Sequence, residues 1–149
     1  IKVTPLEIAC WTMVFANGGK LFTHQVLKSQ VNSADVAENI SPKIIRENFL
    51  QPQTVEIIKQ GLRDGVVYGS SSRFKNLPIA VAGKTGTAQN SSGEPHGWWT
   101  GFAPYDKPEI VITILMENAG GSEKAIPAAY DFLEWYFNNS KLKVKSSKL

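Results

Sequence analysis

Apolar residues recur at helical spacing in three stretches of the chain and as alternating or continuous runs in three others. The first helical stretch places Leu6, Ala9, Cys10 and Met13 on one stripe, which predicts a packing role for Cys10. Its start is marked by Thr4-Pro5-Leu6-Glu7, where Thr4 can cap the third amide while Glu7 reaches back to the cap. Pro5 falls at the first helical position, where a missing N–H costs nothing. Asn17-Gly18-Gly19 predicts the stop, because glycine accepts a left-handed cap. A second helix opens at Gln51-Pro52, with Val55, Ile58, Leu62 and Val66 on one face, and Gly69-Ser70-Ser71-Ser72 follows as a loop. A third runs over 124–137 with Ile126, Ala129, Tyr130, Leu133 and Phe137 as its stripe.

Strands are predicted near 79–88, 97–103 and 110–117. The last of these, Ile110-Val111-Ile112-Thr113-Ile114-Leu115-Met116, is almost entirely apolar and predicts cover on both faces. Between the first two helices the pattern is weak. Residues 20–27 have room for a short strand, and 32–41 is polar and reads as a loop. Helices followed by three strands and a helix predict an α+β fold, an antiparallel sheet with flanking helices.

Charge changes the picture in one respect. The net charge of +3 invites a nucleic-acid surface, but Lys141, Lys143, Lys145 and Lys148 sit in the last nine residues. The remaining 140 residues carry 12 basic and 13 acidic side chains. No nucleic-acid partner is expected from such a body. Residues 140–149 read as a basic, unstructured tail behind a body of 1–139. The single cysteine excludes an internal disulfide framework, and the two histidines form no metal motif, so neither metal nor cofactor is expected. The longest apolar run is too short to span a bilayer. The chain opens at Ile1 without a methionine, so a piece of a longer protein is expected.

The sharpest chemical feature is Ala82-Gly83-Lys84-Thr85-Gly86-Thr87-Ala88-Gln89. A phosphate loop would need glycine at position 78, which is Pro78, and a helix after the lysine rather than a loop and strand. The other reading is K-T-G on a strand beside an acyl-transfer site. The flanks favour it. Gly83-Lys84-Thr85-Gly86-Thr87-Ala88-Gln89, His96-Gly97-Trp98-Trp99-Thr100-Gly101-Phe102-Ala103-Pro104 and Pro108-Glu109-Ile110-Val111-Ile112 together resemble the C-terminal part of class B penicillin-binding proteins. Val3-Thr4-Pro5-Leu6 with Ala16-Asn17-Gly18-Gly19 resembles the helix upstream of that strand. The stretch around Trp98 is most like penicillin-binding protein 2, the elongation-type branch. The resemblance covers roughly residues 1–137.

The resemblance implies a parent peptidoglycan D,D-transpeptidase, a serine acyltransferase that acts on stem peptides ending in D-Ala-D-Ala and is acylated by β-lactams. Lys84 would supply positive charge to the substrate or β-lactam carboxylate, and Thr85 and Thr87 would supply hydroxyls. Gly86 leaves room for close approach. The Thr87 backbone N–H would be one of two oxyanion donors. Strand alternation sends Lys84 and Gly86 to one face and Thr85 and Thr87 to the other, so the site is expected along an open strand edge. Implied partners are the rest of the transpeptidase domain and the cell-elongation machinery, with a parent anchored in the inner membrane and this domain outside the cytoplasm.

Two motifs of that mechanism are not where they belong. No S-x-N occurs, and S-x-x-K occurs only as Ser72-Arg73-Phe74-Lys75 and Ser140-Lys141-Leu142-Lys143. The family places it on a buried helix far upstream of K-T-G, so both matches read as coincidence. The chain is therefore expected to hold one wall of an incomplete β-lactamase/transpeptidase-like fold, with no nucleophile of its own and no activity alone. The alternatives are a septation-type transpeptidase, a D,D-carboxypeptidase, a β-lactamase, or a non-catalytic β-lactam-sensing or scaffold module. Trp98, Trp99 and Phe102 are candidates for either a peptide groove or the layer under the sheet, and His96 could border the cleft. The terminal Ser147-Lys148-Leu149 matches a peroxisomal address and is read as chance.

Overall fold

The computed structural model describes residues 2–31 and 35–146, with 140–146 described by backbone alone. Helix α1 (Pro5–Ala16) begins as its sequence predicts. The Glu7 amide donates to Thr4 Oγ1 at 3.3 Å, and the Thr4 amide donates to the Glu7 carboxylate at 2.7 Å. That amide, and then the Thr4 hydroxyl, hold the Glu7 carboxyl below its ordinary range. The helix ends where Asn17 donates to the Met13 carbonyl, and Gly18 and Gly19 take φ of 81° and 102°.

The C-terminal half is one antiparallel sheet in the order β5 (Ala82–Ala88), β6 (His96–Ala103), β7 (Ile110–Met116). These match the three predicted strands to within a few residues, and the α+β architecture is as expected. Helix α2 (Pro52–Val67) packs on β5, and a short 3-10 helix, Ser72–Asn76, joins the two. Helix α3 (Ala125–Ser146) lies on β6 and β7.

The sheet is covered on both faces because its residues alternate. Trp99, Ala103, Ile110, Ile112 and Ile114 join Phe74 of the 3-10 helix and Ala129, Leu133 and Phe137 of α3 in one core. The opposite face meets α1 through a line of hydroxyls. Thr12 Oγ1 donates to the Ile8 carbonyl at 2.8 Å and is 2.8 Å from Thr100 Oγ1, which is 2.8 Å from Thr113 Oγ1. Every buried side-chain polar atom among the described residues has a partner, as buried polar groups require.

Four expectations need correction. The stripe predicted for α1 is not its buried face: Thr12 and Val14 are buried, while Leu6 is half exposed and Cys10 is only part-buried. That helix is apolar nearly all round, so periodicity could not choose its inner side. The second helix buries Val55 and Val66 but leaves Ile58 on the surface. The 32–41 loop contains β3 (Ala37–Asn39), which pairs with β2 (Ser29–Val31); β1 (Leu21–Phe22) pairs with β4 (Ile44–Arg46). Strands β2, β3 and β4 are exposed throughout and β1 is only two part-buried residues, so the ribbons leave no alternation to read. Helix α3 continues beyond 137 to Ser146, since no glycine or proline stops it. The helix thus takes in the backbone of much of the expected tail; its side chains and residues 147–149 lie outside the described residues.

Candidate active-site wall

Among the described residues β5 pairs with a strand only on its β6 side; the start of its outer edge lies against α2, near Gly65, and the rest carries no strand. The pairing is continuous from Ala82↔Phe102 to Ala88↔His96. Two glycines allow the close approach at its buried end. A Cβ on Gly83 would strike the Trp99 indole and the Thr100 carbonyl, and one on Gly101 would strike the Ala82 carbonyl. The strand is thus held tightly at Gly83 and emerges into solvent at Lys84.

Lys84, Thr85, Gly86 and Thr87 line one cleft of about 280 Å³. Ala88, Trp98 and Thr100 complete its sheet side, and Val3 and Ile8 close it from the start of α1. The four residues singled out from the sequence therefore face a common space although their side chains alternate. The reason is the edge: Lys84 bends round it, its ammonium donating to the Thr85 carbonyl at 3.0 Å and to Thr85 Oγ1 at 3.3 Å. Lysine carries three N–H groups, so at least one is left for an incoming anion.

Residues that sequence reading passed over as a loop hold Thr85 from the other side. Ser70 Oγ is 2.7 Å from Thr85 Oγ1. The next residue, Ser71, is 1% exposed and accepts from the Trp99 indole N–H at 3.0 Å. Thr85 and Trp99 are directly opposite each other in the β5–β6 register. Two consecutive serines are thus bonded to one cross-strand pair. The only hint in the sequence was a serine run after a helix, which by itself signals a turn.

The aromatic candidates separate. Trp99 and Phe102 are fully buried, and Trp99 stacks on Phe74 with centroids 4.5 Å apart, whereas Trp98 is part-buried on the cleft. His96 sits beside Ala88 at the end of β5, but its Nδ1 accepts from the Asn118 amide at 3.0 Å. That bond ties the start of β6 to the turn after β7. His96 is not part of the lining of the K-T-G cleft. Of the two S-x-x-K matches, Ser72 is exposed at the head of the 3-10 helix, and Lys75 donates to the Val67 carbonyl at 3.3 Å rather than to Ser72. The side chains of Ser140 and Lys143 lie outside the described residues. Among the described residues, no cluster of three His, Cys, Asp or Glu could hold a metal ion.

Residues 1–134 match the family described as penicillin binding protein transpeptidase domain. The chain belongs to that family. The peptidoglycan D,D-transpeptidase MrdA of Haemophilus influenzae is 32% identical over 91% of this chain and 24% of its own length. A D,D-transpeptidase domain from Eggerthella lenta superposes with a TM-score of 0.82 at 26% identity, over 94% of this chain and 33% of that one. Penicillin-binding protein A of Mycobacterium tuberculosis, as an imipenem acyl-enzyme, superposes with a TM-score of 0.78 at 23% identity, over 89% and 30% of the two chains; at that identity it speaks for the fold alone. The chain spans about a quarter of the curated relatives' length and corresponds to the C-terminal part of such a penicillin-binding transpeptidase domain. No helix among the described residues is long and apolar enough to cross a membrane.

Proposed function

We propose that this chain forms the carboxylate-binding wall of a serine-type peptidoglycan D,D-transpeptidase. The observation that carries the reading is the open edge of β5, which turns Lys84, Thr85, Gly86 and Thr87 toward one cleft. The terminal carboxylate of a stem peptide, or that of a β-lactam, lies against the Lys84 ammonium and the hydroxyls of Thr85 and Thr87. An extended peptide fits an open strand edge because the unpaired backbone groups can add it as a further strand. The scissile carbonyl then comes beside the Thr87 backbone N–H, one of two donors for the developing oxyanion.

The nucleophile belongs to the remainder of the domain. Its serine oxygen bonds to the carbonyl carbon, the C–N bond to the terminal D-Ala breaks, and the serine proton leaves on the departing amine. An amine of a second peptidoglycan strand then displaces the serine and takes the acyl group. Ser72 is a poor substitute, since the only lysine at the right spacing spends its bond on the Val67 carbonyl. The parent protein would work outside the cytoplasmic membrane, with the cell-elongation machinery as its partner. It needs no cofactor for this chemistry.

Fluorescent penicillin tests the reading. The full-length parent protein should become covalently labelled, and Lys84→Ala should slow labelling by roughly 10- to 100-fold, the range of a charge-assisted hydrogen bond. The 149-residue chain by itself should stay unlabelled. A penicilloyl adduct mapped to Ser72 would overturn the assignment of the nucleophile.

A further inference from the structure

We infer that Ser70 is a positioning residue of this site: its hydroxyl donates to Thr85 Oγ1 and so directs the single Thr85 proton at the ligand, which makes the subsite select an anionic carboxylate over a neutral group. The inference rests on the carboxylate-binding reading of β5.

A threonine oxygen has two acceptor positions and one proton. The Lys84 ammonium occupies one acceptor position at 3.3 Å. Ser70 Oγ is 2.7 Å away, a short hydrogen bond whose direction the two hydroxyls can share either way. When Thr85 donates to Ser70, its proton points away from the cleft. When Ser70 donates, both acceptor positions are filled and the proton of Thr85 has no place to go but an acceptor in the cleft. A carboxylate selects the second arrangement strongly, because a hydrogen bond to a charged acceptor is about twice as strong as a neutral one. Donors meanwhile find no vacant position on Thr85. Ser70 thereby converts a hydroxyl that could meet either kind of ligand group into a donor.

The loop geometry keeps this arrangement in register. Ser71 donates its amide to the Gly65 carbonyl at 3.2 Å and accepts from Trp99, so the neighbour of Ser70 is fixed to α2 and to the core. Gly69 is also confined: a Cβ there would lie 2.8 Å from the Gly65 carbonyl oxygen. Ser70 itself is exposed, and its hydroxyl is bonded to Thr85.

The test compares acylation of the full-length parent protein by benzylpenicillin and by its neutral methyl ester. Ser70→Ala should lower the acylation efficiency for the acid by roughly tenfold and for the ester by less than roughly twofold, given the usual strengths of charged and neutral hydrogen bonds. Ser70→Thr restores a hydroxyl and should return the acid to within roughly twofold of wild type. Equal slowing of both ligands, or no slowing of either, overturns the role of Ser70. Failure of the wild-type parent to be acylated at all overturns the underlying reading of the site, and this inference with it.

Discussion

Two regions of the molecule, the β5–β7 sheet and residues 20–50, use their apolar side chains to different ends. In the β5–β7 sheet nearly every large apolar residue meets a helix, and Trp99 and Phe102 are fully buried. In residues 20–50, Val26, Leu27, Val31, Val36, Ile44, Ile45 and Phe49 are all exposed. The difference is layering. Three paired strands present a surface wide enough for α1 on one side and α3 on the other, whereas two-stranded ribbons of two or three residues offer no such surface. Apolar composition alone therefore does not make a core; a face must be shared between elements.

Trp99 gives the largest test of that contrast. Trp99→Ala removes the ring stacked on Phe74 and leaves Ser71 without its indole donor, and should cost about 3–5 kcal/mol in the denaturant unfolding of the transpeptidase domain. Ile45→Ala, at a position 57% exposed, should stay within about 0.5 kcal/mol. Comparable losses for the two would mean that the ribbons are as integrated as the sheet.

A smaller effect separates two glycines. Gly83→Ala forces a methyl against the Trp99 indole and to 2.8 Å from the Thr100 carbonyl oxygen, an overpacking of about 1–3 kcal/mol, and should also displace Lys84. Gly61→Ala, on α2 with open space around it, should stabilise by up to about 1 kcal/mol through helix propensity. Thermal unfolding of both variants reads the difference in sign.

The smallest effect lies at the start of α1. The Glu7 carboxyl is held below its ordinary value of 4.5, first by the Thr4 amide and then by the Thr4 hydroxyl. Its contribution is therefore present above pH 4.5 and is lost as the pH falls through the lowered value. Glu7→Gln should lower stability slightly at neutral pH and remove that part of the acid sensitivity in a series of melting curves, so that the variant and the wild type converge at low pH. An unchanged acid slope would mean the capping box is not maintained in solution.

How far the sequence could be read follows from the same contrast. The capping box at Thr4 and the glycine stop after Asn17 are local devices whose partners lie within a turn, and they appear where expected; the stripe of α3 is also buried as its spacing predicts. The K-T-G strand was recognisable because its flanks carry a specific pattern. The buried side of α1 was not readable, because a helix apolar nearly all round gives periodicity nothing to choose between. The roles of Ser70 and Ser71 were not readable either. Serines after a helix look the same whether they touch water or a strand fifteen residues later.

Residue order by itself was enough for the three long helices and the three sheet strands, and for naming Lys84, Thr85, Gly86 and Thr87 as candidates, because those readings depend on spacing over a few residues. Packing alone decided which tryptophan is core and which lines the cleft, and that Thr85 is gripped from two sides. Those outcomes depend on the register of β5 against β6, where Thr85 meets Trp99 and two serines from a distant turn meet them both. Register is a relation between segments, and no single segment encodes it.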